Sequence, residues 1–445
     1  MHETPHLDRL AKEGVRFTQA YAMSVCSPTR AALMTGKHAA RLHITIWAEG
    51  SLKGPAHRKL LQADSLHDLP HTETTLAKHL HHAGYLTALV GKWHLGNADH
   101  FPETHGFDVN VGGTHWGAPH TFWWPYRGAG RFGAEFRFVP HLEFGQPGEY
   151  LTDRLTDEAL QVIDRAGRQP FFLYLAHHAP HTPIEAKVDD VTHFEKKLRP
   201  GLNHRNPVYA AMVKSLDESV GRVLAHLTKR GLEKGTIVIF TSDNGGYVGV
   251  DRKAAPSVPV TSNAPLRSGK GSLYEGGIRV PLLVRWPGVT PQGAECLEPV
   301  VLMDLFHTLR AVGMPASGTA RPTGANIPAG SETGAPHSDG LDLTSLLKNP
   351  ATNLGRDALF FHYPHYYETT TPVSAVRAGD WKLLEYFEDG RRELFDLRSD
   401  PSEQTNLADR ESPKAAELRD RLDAWRKEAG AHLPKPNPAY KPEVK

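Results

Sequence analysis

The sequence has little cysteine, almost no net charge and no long apolar run. Only Cys26 and Cys296 occur among 445 residues, which excludes a disulfide-stabilised scaffold. Lysine and arginine number 51 against 50 aspartates and glutamates, so charge gives no argument for a nucleic-acid partner. No stretch reaches the roughly 18 consecutive apolar residues of a membrane helix. We therefore expect neither nucleic-acid binding nor a membrane span.

What is present is enough apolar material for a large core. Hydrophobic residues make up 39% of the chain and charged residues 23%, which excludes wholesale disorder. A chain of 445 residues suits one large α/β domain with an appendage. Histidine is plentiful at 27, which is compatible with metal or acid–base chemistry.

Short apolar runs alternate with helical stripes over the first three hundred residues. Buried strands are predicted at 86–90, 171–176, 236–240 and 278–286. Helices are predicted at 5–13 and from Asn206-Pro207 to Gly231. This alternation predicts an α/β fold with a mainly parallel central sheet sandwiched by helices. Ligands of such sheets bind beyond the carboxyl ends of the strands.

The composition changes after residue 313. Residues 314–340 are rich in Gly, Pro and Ser and predict a loop or linker. Antiparallel strands are then predicted at 374–377, 381–387 and 393–397, followed by a helix from Ser412. The predicted organisation is a catalytic domain over 1–313 and a smaller C-terminal α+β subdomain over 341–445, of antiparallel strands plus one helix.

The sharpest motif is Cys-Ser-Pro-Thr-Arg at 26–30, followed by Ala-Ala-Leu-Met-Thr-Gly. A cysteine just ahead of a helix feels the positive end of the helix dipole, and Arg30 adds a charge that favours an anion there. Read alone, a lone cysteine is more often a buried, inert thiol. The residues by themselves leave both interpretations open.

Further segments extend the motif into a family pattern. They lie, in order, at 4–18, 91–96, 179–183, 242–245, 266–277, 379–383 and 393–397. Together with 26–36 they resemble the type I, formylglycine-dependent sulfatases, the arylsulfatase-like enzymes of the alkaline phosphatase superfamily. The resemblance runs nearly end to end and implies an alkaline phosphatase-like fold and hydrolysis of a sulfate monoester.

The resemblance also implies roles for individual residues. Cys26 would be converted to formylglycine by a formylglycine-generating maturation enzyme, and the hydrated aldehyde would supply the oxygen that attacks sulfur. The remaining catalytic candidates fix that group (Arg30, His94), neutralise the sulfate oxygens (Lys92, Lys270) and protonate the leaving oxygen (His181). Asp243 and Asn244 would bind a divalent cation, calcium in the first instance, through oxygen atoms.

One departure from the family pattern concerns the metal. Family members normally begin with an apolar strand that ends in an Asp-Asp pair and supplies half of the metal's protein ligands. No such segment precedes residues 4–18 here. We expect a shortened reading of a longer protein rather than a degenerate, metal-poor relative. Taken as it stands, the chain would then fold poorly and hydrolyse sulfate esters weakly or not at all. The full-length protein would be periplasmic or secreted.

Substrate identity rests on two aromatic and histidine clusters. His115 and Trp116 open one, and His362 and His365 lie in the other. Aromatic faces beside polar tips suit a sugar ring, although an ordinary core loop gives the same pattern. The sequence favours a sulfated carbohydrate over a small aryl sulfate. A phosphonate monoester or phosphodiester hydrolase of the same superfamily and a non-catalytic sulfated-glycan binder remain as alternatives.

Overall fold

The computed structural model describes residues 1–51, 57–131, 133–251, 257–313 and 338–441. Most of the linker predicted at 314–340 lies outside the described residues. Its last residues are placed, and the Asp339 carboxylate pairs with Arg41 at 2.9 Å. None of the helices in the described ranges combines the length and apolarity that crossing a membrane would require.

Eleven α-helices are placed within the described ranges. They are α1 Pro5–Glu13, α2 Cys26–Thr35, α3 Ala48–Ser51, α4 Leu76–His82, α5 Leu151–Ala166, α6 Val188–Glu195, α7 Pro207–Lys229, α8 Glu275–Ile278, α9 Asp304–Gly313, α10 Thr344–Lys348 and α11 Ser412–Glu428. Three short 3-10 helices occupy Ala98–His100, Pro102–His105 and Glu233–Gly235.

The strands of the catalytic part are mostly short. They are β1 Val15–Tyr21, β2 Leu60–Leu61, β3 Leu86–Gly91, β4 Val109–Val111, β5 Phe171–Ala176, β6 Val238–Thr241, β7 Val250–Asp251, β8 Val258–Pro259, β9 Arg279–Arg285, β10 Ala294–Cys296 and β11 Val300–Val301. The C-terminal strands are β12 Leu359–Tyr363, β13 Val373–Ala378, β14 Trp381–Tyr386, β15 Arg392–Asp396 and β16 Lys435–Pro436.

Two sheets form the centre of the catalytic part. The larger has the order β10-β1-β9-β6, with β11 continuing beside β1. Strand β1 runs parallel to β10 and β11, whereas β9 is antiparallel to both β1 and β6. The smaller sheet, β4-β3-β5, is parallel throughout. The predicted α/β class is confirmed, and the antiparallel course of β9 is the feature that the apolar pattern did not show.

Strands β5 and β6 each keep one edge without a strand partner among the described residues. Both are apolar, reading Phe-Phe-Leu-Tyr-Leu-Ala and Val-Ile-Phe-Thr, yet nearly all of their residues are only half-buried. Helices α5 and α7 pack against each other on one side of these sheets, and α5 also packs on β3 and β5. Each of these two edges is therefore without a backbone ladder in the described part of the chain.

The C-terminal sheet is an antiparallel meander in the order β12-β13-β14-β15. One face carries Val376, Leu383 and Leu394 against Leu418 and Leu422 of α11. The opposite face packs into the core that holds β1 and the start of α2. Because both faces are covered, the strands are apolar on both sides and the C-terminal part is continuous with the catalytic core.

Candidate active site

Loops at the carboxyl ends of three strands bring the predicted catalytic residues together. Lys92 and His94 follow β3, His181 follows β5, and Asp243 with Asn244 follows β6. Cys26 is the first residue of α2 and is only 3% exposed. This placement matches the general rule that α/β sheets bind ligands beyond the carboxyl ends of their strands.

Cys26 lies within reach of an ammonium group and an imidazole. The Lys270 Nζ donates to the Cys26 Sγ at 3.4 Å and lies 3.0 Å from the His181 Nε2. The His181 Nδ1 lies 2.9 Å from the Thr182 carbonyl oxygen and 3.1 Å from the Thr182 hydroxyl, so Thr182 engages this nitrogen and Nε2 is the one that faces Lys270. The Nε2 of His181 therefore points into the site, beside the Lys270 ammonium that contacts the sulfur.

Charge around Cys26 stabilises its anion. Burial alone raises the pKa of the thiol, but the charges of Lys270 and Lys92 and the nearby imidazoles of His181 and His94 hold that pKa well below its ordinary value. The same interaction raises the pKa of Lys270 against the opposing effect of burial. Burial, together with the charge of Lys270, lowers the pKa of His181 to about 4. The site is therefore built to hold negative charge at Cys26.

Arg30 ties the helix of Cys26 to two neighbouring loops. Its Nε donates to the Asp243 Oδ2 at 2.8 Å, and its Nη1 donates to the Lys92 carbonyl oxygen at 2.6 Å. The Lys92 Nζ lies 3.9 Å from the same Asp243 oxygen. The pKa of Asp243 is lowered because Arg30, Lys92 and Lys270 outweigh burial and the Cys26 charge. Arg30 is thus fixed as a cation close to the sulfur, whereas burial lowers the pKa of Lys92 below its ordinary value.

His94 is held in an uncommon backbone conformation. Its φ of 62° lies in the left-handed region, which side chains other than glycine adopt only when their surroundings enforce it. Its carbonyl oxygen accepts from the Ser27 Oγ at 2.8 Å, and its ring lies 4.0 Å from the Glu49 carboxylate. A Cβ on Gly117 would come within 2.3 Å of the ring, so only glycine leaves room there. These contacts fix the orientation of the imidazole.

The predicted metal ligands present oxygen atoms but too few of them. The Asn244 Oδ1 is buried and finds no hydrogen-bond partner among the described residues, whereas its Nδ2 donates to the Gly245 carbonyl oxygen at 2.8 Å. Asp243 has one carboxylate oxygen committed to Arg30. These donors suit a hard cation in kind, but calcium takes about six to eight oxygens. Asp243 and Asn244 alone therefore do not complete the coordination of a calcium ion.

The two substrate clusters occupy different surroundings. His115 and Trp116 follow the Thr114 carbonyl oxygen, which accepts from the His94 backbone N–H at 2.9 Å, so this pair lies beside the site. His362 is buried, and both ring nitrogens are engaged, by the Ser374 hydroxyl and the His432 carbonyl oxygen. The His365 Nε2 is bonded to the Thr45 hydroxyl at 2.8 Å. The structure thus brings the first pair to the site and places the second pair inside the fold.

Sequence reasoning missed several residues that complete the site. Glu49 bridges toward both His94 and Arg137, which lies 3.2 Å away. The ring of Tyr367 packs on Gly271, next to Lys270, and stacks edge-on against Trp47 at 5.7 Å. Only Tyr367 carried a sequence signal, since it belongs to the aromatic run at 362–367. The others come from segments without any motif, and only the fold brings them near Cys26.

Comparison with known proteins decides the family. A protein-family model described as Sulfatase matches residues 1–312, and one described as N-sulphoglucosamine sulphohydrolase, C-terminal, matches residues 269–428. The chain belongs to the sulfatase family. This sulfatase is 30% identical to a sulfatase of Formosa agariphila over 95% of its own length and 83% of that relative. It is 32% identical to the steryl-sulfatase of Mus musculus over 98% of its length and 79% of that enzyme.

A solved structure supports the same assignment. The sulfatase superposes on the crystal structure of Ps i-CgsB in complex with k-i-k-neocarrahexaose with a TM-score of 0.75 and 27% identity. The match covers 99% of this sulfatase and 90% of that chain. The enzyme is therefore a sulfuric ester hydrolase of alkaline phosphatase-like fold, and the family prediction made from the segments around Cys26 is confirmed.

Proposed function

We propose that the enzyme hydrolyses a sulfate ester on a carbohydrate through a formylglycine made from Cys26. The observation that carries the proposal is the cluster around the sulfur, with the Lys270 Nζ at 3.4 Å and the charges of Lys92 and Arg30 beside it. An oxygen nucleophile in place of the sulfur would meet the same donors. A formylglycine supplies that oxygen as one hydroxyl of its hydrate, once a maturation enzyme has converted the cysteine.

The side chains around Cys26 would have different roles in hydrolysis. Lys92 and Lys270 would hold the sulfate oxygens, and their positive charge would offset the negative charge that develops there as the S–O bond breaks. His181 would protonate the leaving oxygen from Nε2, because its Nδ1 is engaged by Thr182 and Nε2 is the nitrogen beside Lys270. Arg30 and His94 would orient the nucleophile, being fixed themselves by Asp243 and Ser27.

A divalent cation, calcium in this proposal, would bind at Asp243 and Asn244. The buried, unpartnered Asn244 Oδ1 supports this, since a lone carbonyl oxygen in such a place calls for a cation or a donor. With two side chains from the described residues, we expect weak binding, at about 0.1–1 mM, the weak end of the range of protein calcium sites. Turnover that rises with millimolar Ca²⁺ and less with Mg²⁺ would support the choice of ion.

A carbohydrate substrate is favoured by the surroundings of the site. His115 and Trp116 lie beside His94, and Trp47 and Tyr367 stack near Lys270. Flat rings with polar tips bind sugar rings well. The bound oligosaccharide of Ps i-CgsB and the sugar named by the second family model point the same way, whereas steryl-sulfatase acts on a sterol by its name. Exported enzymes meet such glycans, so the proposal includes a periplasmic or secreted location.

A comparison of kcat/KM on four substrates tests the proposal. The chain, co-expressed with a formylglycine-generating enzyme, is assayed on a sulfated galacto-oligosaccharide, a steroid sulfate, 4-nitrophenyl sulfate and a phosphate diester. We expect the highest kcat/KM on the oligosaccharide and no turnover by Cys26→Ala. A preference for the phosphate diester would instead support the phosphodiesterase alternative. Glycan binding without turnover, unchanged in Cys26→Ala, would support the non-catalytic binder.

A further inference from the structure

Three histidines outside the active site converge behind Trp93. His71 lies in the loop before α4, His100 ends the 3-10 helix Ala98–His100, and His105 ends the 3-10 helix Pro102–His105. One nitrogen of each ring lies within 4.8 Å of the others. Of the described residues, these form the one group of three or more His, Cys, Asp or Glu side chains with that spacing.

His105 is the buried residue of the cluster, and its ring has no hydrogen-bond partner among the described residues. Its side chain is fully buried, and neither ring nitrogen finds a hydrogen-bond partner in the described part of the chain. Leaving a buried polar atom without a partner is unfavourable, so such atoms usually have a water or an ion beside them. Burial and the nearby charge of Lys78 lower the pKa of His105 to about 3. Imidazole nitrogens are common metal ligands, and both nitrogens of this buried ring are without a partner among the described residues.

His100 is oriented as metal-binding histidines usually are. Its Nδ1 lies 2.8 Å from the Leu69 carbonyl oxygen and donates to it. This fixes the tautomer and leaves the Nε2 lone pair free, as when an outer hydrogen bond orients a metal-bound ring. His71 is exposed and gives the cluster an opening to solvent.

We propose that His71, His100 and His105 bind a divalent transition-metal ion of the zinc class, with a water as the fourth ligand. Three imidazoles are the donors that zinc prefers, whereas calcium and magnesium prefer oxygen. The rings now stack, with those of His71 and His100 4.2 Å apart and 14° from parallel. Zinc bound at about 2.0–2.1 Å brings its nitrogens within about 3.3 Å of each other, so the rings must turn toward a common point. The exposed His71 is free to do so.

Lys78 is the charge that opposes a metal here. Its ammonium donates to the carbonyl oxygens of His71 and Glu73, each at 3.1 Å, so it is held at the edge of the cluster. Because the Lys78 ammonium repels a cation bound beside it, we expect the affinity for zinc to come from the three imidazole ligands. Replacing Lys78 with Met should accordingly tighten metal binding.

Trp93 links the cluster to the active site. The Trp93 indole N–H donates to the His100 carbonyl oxygen at 2.8 Å, and its ring lies 5.6 Å from that of His105. Trp93 stands between Lys92 and His94 in the chain. A metal joining the loop at 71 to the loop at 100–105 would brace the packing behind both catalytic side chains, so its role in this proposal is structural.

Cobalt and zinc binding test the site directly. The chelator-treated protein is titrated with Co²⁺, whose visible absorption is strong when four ligands surround it, and then with Zn²⁺ as competitor. We expect one equivalent of Co²⁺ with that absorption, displaced by Zn²⁺, and a Zn²⁺-dependent rise in melting temperature. His71→Ala, at an exposed position, should keep the fold but weaken binding at least about tenfold and lose the absorption.

Two variants separate this site from others. His82→Ala removes an exposed histidine outside the cluster and should bind as the parent does. Cys26→Ala alters the sulfatase site and should also leave Co²⁺ binding unchanged, which makes the outcome independent of the proposed reaction. Absence of stoichiometric binding, equal binding by His71→Ala, or loss of binding in Cys26→Ala would each overturn the proposal.

Discussion

At Cys26 a thiol, two ammonium groups and an imidazole form one electrostatic unit. The lowered pKa of Cys26 and the raised pKa of Lys270 arise from their mutual attraction in a buried place. These groups could be predicted from the sequence, because each stands in a motif. The sequence could not identify Glu49 or Arg137, which come from segments without a motif and meet His94 only in the fold. It also assigned His362 and His365 to the substrate, and the structure gives their rings partners inside the protein.

The role of His181 can be separated from its place in the structure. His181→Gln removes the proton donor, and we expect kcat to fall about 10²- to 10⁴-fold on a sulfated sugar, whose leaving alkoxide needs a proton. The loss should be much smaller on 4-nitrophenyl sulfate, whose leaving group is stable as an anion. His193→Gln, at an exposed position, is the matched control. Equal losses on both substrates would show that His181 does not act as the acid.

At the scale of elements, the loops after β3, β5 and β6 carry most of the site. Strands β3 and β5 were predicted within one residue, because their apolar runs are bounded by clear turn signals. Strand β1 was missed, since Val-Arg-Phe-Thr-Gln-Ala-Tyr mixes polar with apolar residues. The close approach of the loop at Gly117 to His94 is a tertiary contact, which no local pattern encodes.

Gly117→Ala tests whether this loop positions His94. A methyl group 2.3 Å from the ring must displace it. We expect kcat/KM to fall about 100-fold, the usual effect of misplacing a catalytic group by about 1 Å, with an unchanged urea midpoint. Gly235→Ala is the control, because nothing lies within 4 Å of its added carbon. Unchanged kinetics in Gly117→Ala would contradict the positioning role.

At the scale of the whole molecule, a buried ion cluster joins the C-terminal sheet to the catalytic part. The Lys382 Nζ of β14 lies 2.9 Å from the Glu275 carboxylate of α8 and 2.8 Å from that of Glu403, and all three side chains are fully buried. Glu275 follows Lys270 by five residues, so the cluster also anchors the loop that carries a catalytic cation. The sequence predicted separate subdomains, but it could not show that they share a core.

Removing the central charge should unfold both parts together. Lys382→Met leaves two buried carboxylates without their cation, and we expect a loss of about 3–5 kcal/mol in the free energy of unfolding. Urea unfolding followed by tryptophan fluorescence and by circular dichroism should show one shared, shifted transition. Lys427→Met, at an exposed position, should shift it little. Two separate transitions in the parent protein would contradict the shared core.

Acid should destabilise the fold before its carboxylates titrate. Burial lowers the pKa of both His362 and His365 to about 3, from an ordinary value of 6.5. Both rings are neutral in the folded state, so their contribution is full above pH 6.5 and is lost as pH falls toward 3. Between pH 7.5 and 5.0 each histidine should cost about 2 kcal/mol of stability.

Urea midpoints at these two pH values provide the measurement. His365→Gln should show a smaller drop than the parent between pH 7.5 and 5.0, because one titrating group is gone. His82→Gln, at an exposed position, should show the parent's drop. A parent protein equally stable at both pH values would refute the buried, neutral state of these rings.

The central claim is that Cys26 is the precursor of the nucleophile. The most direct measurement is the mass of the proteolytic peptide that contains Cys26, after co-expression with a formylglycine-generating enzyme. We expect a peptide lighter than its cysteine form by about 18 Da, because the thiol has become an aldehyde, and its fraction should scale with sulfatase activity. A peptide that keeps the cysteine mass in preparations that hydrolyse sulfate esters would contradict the account.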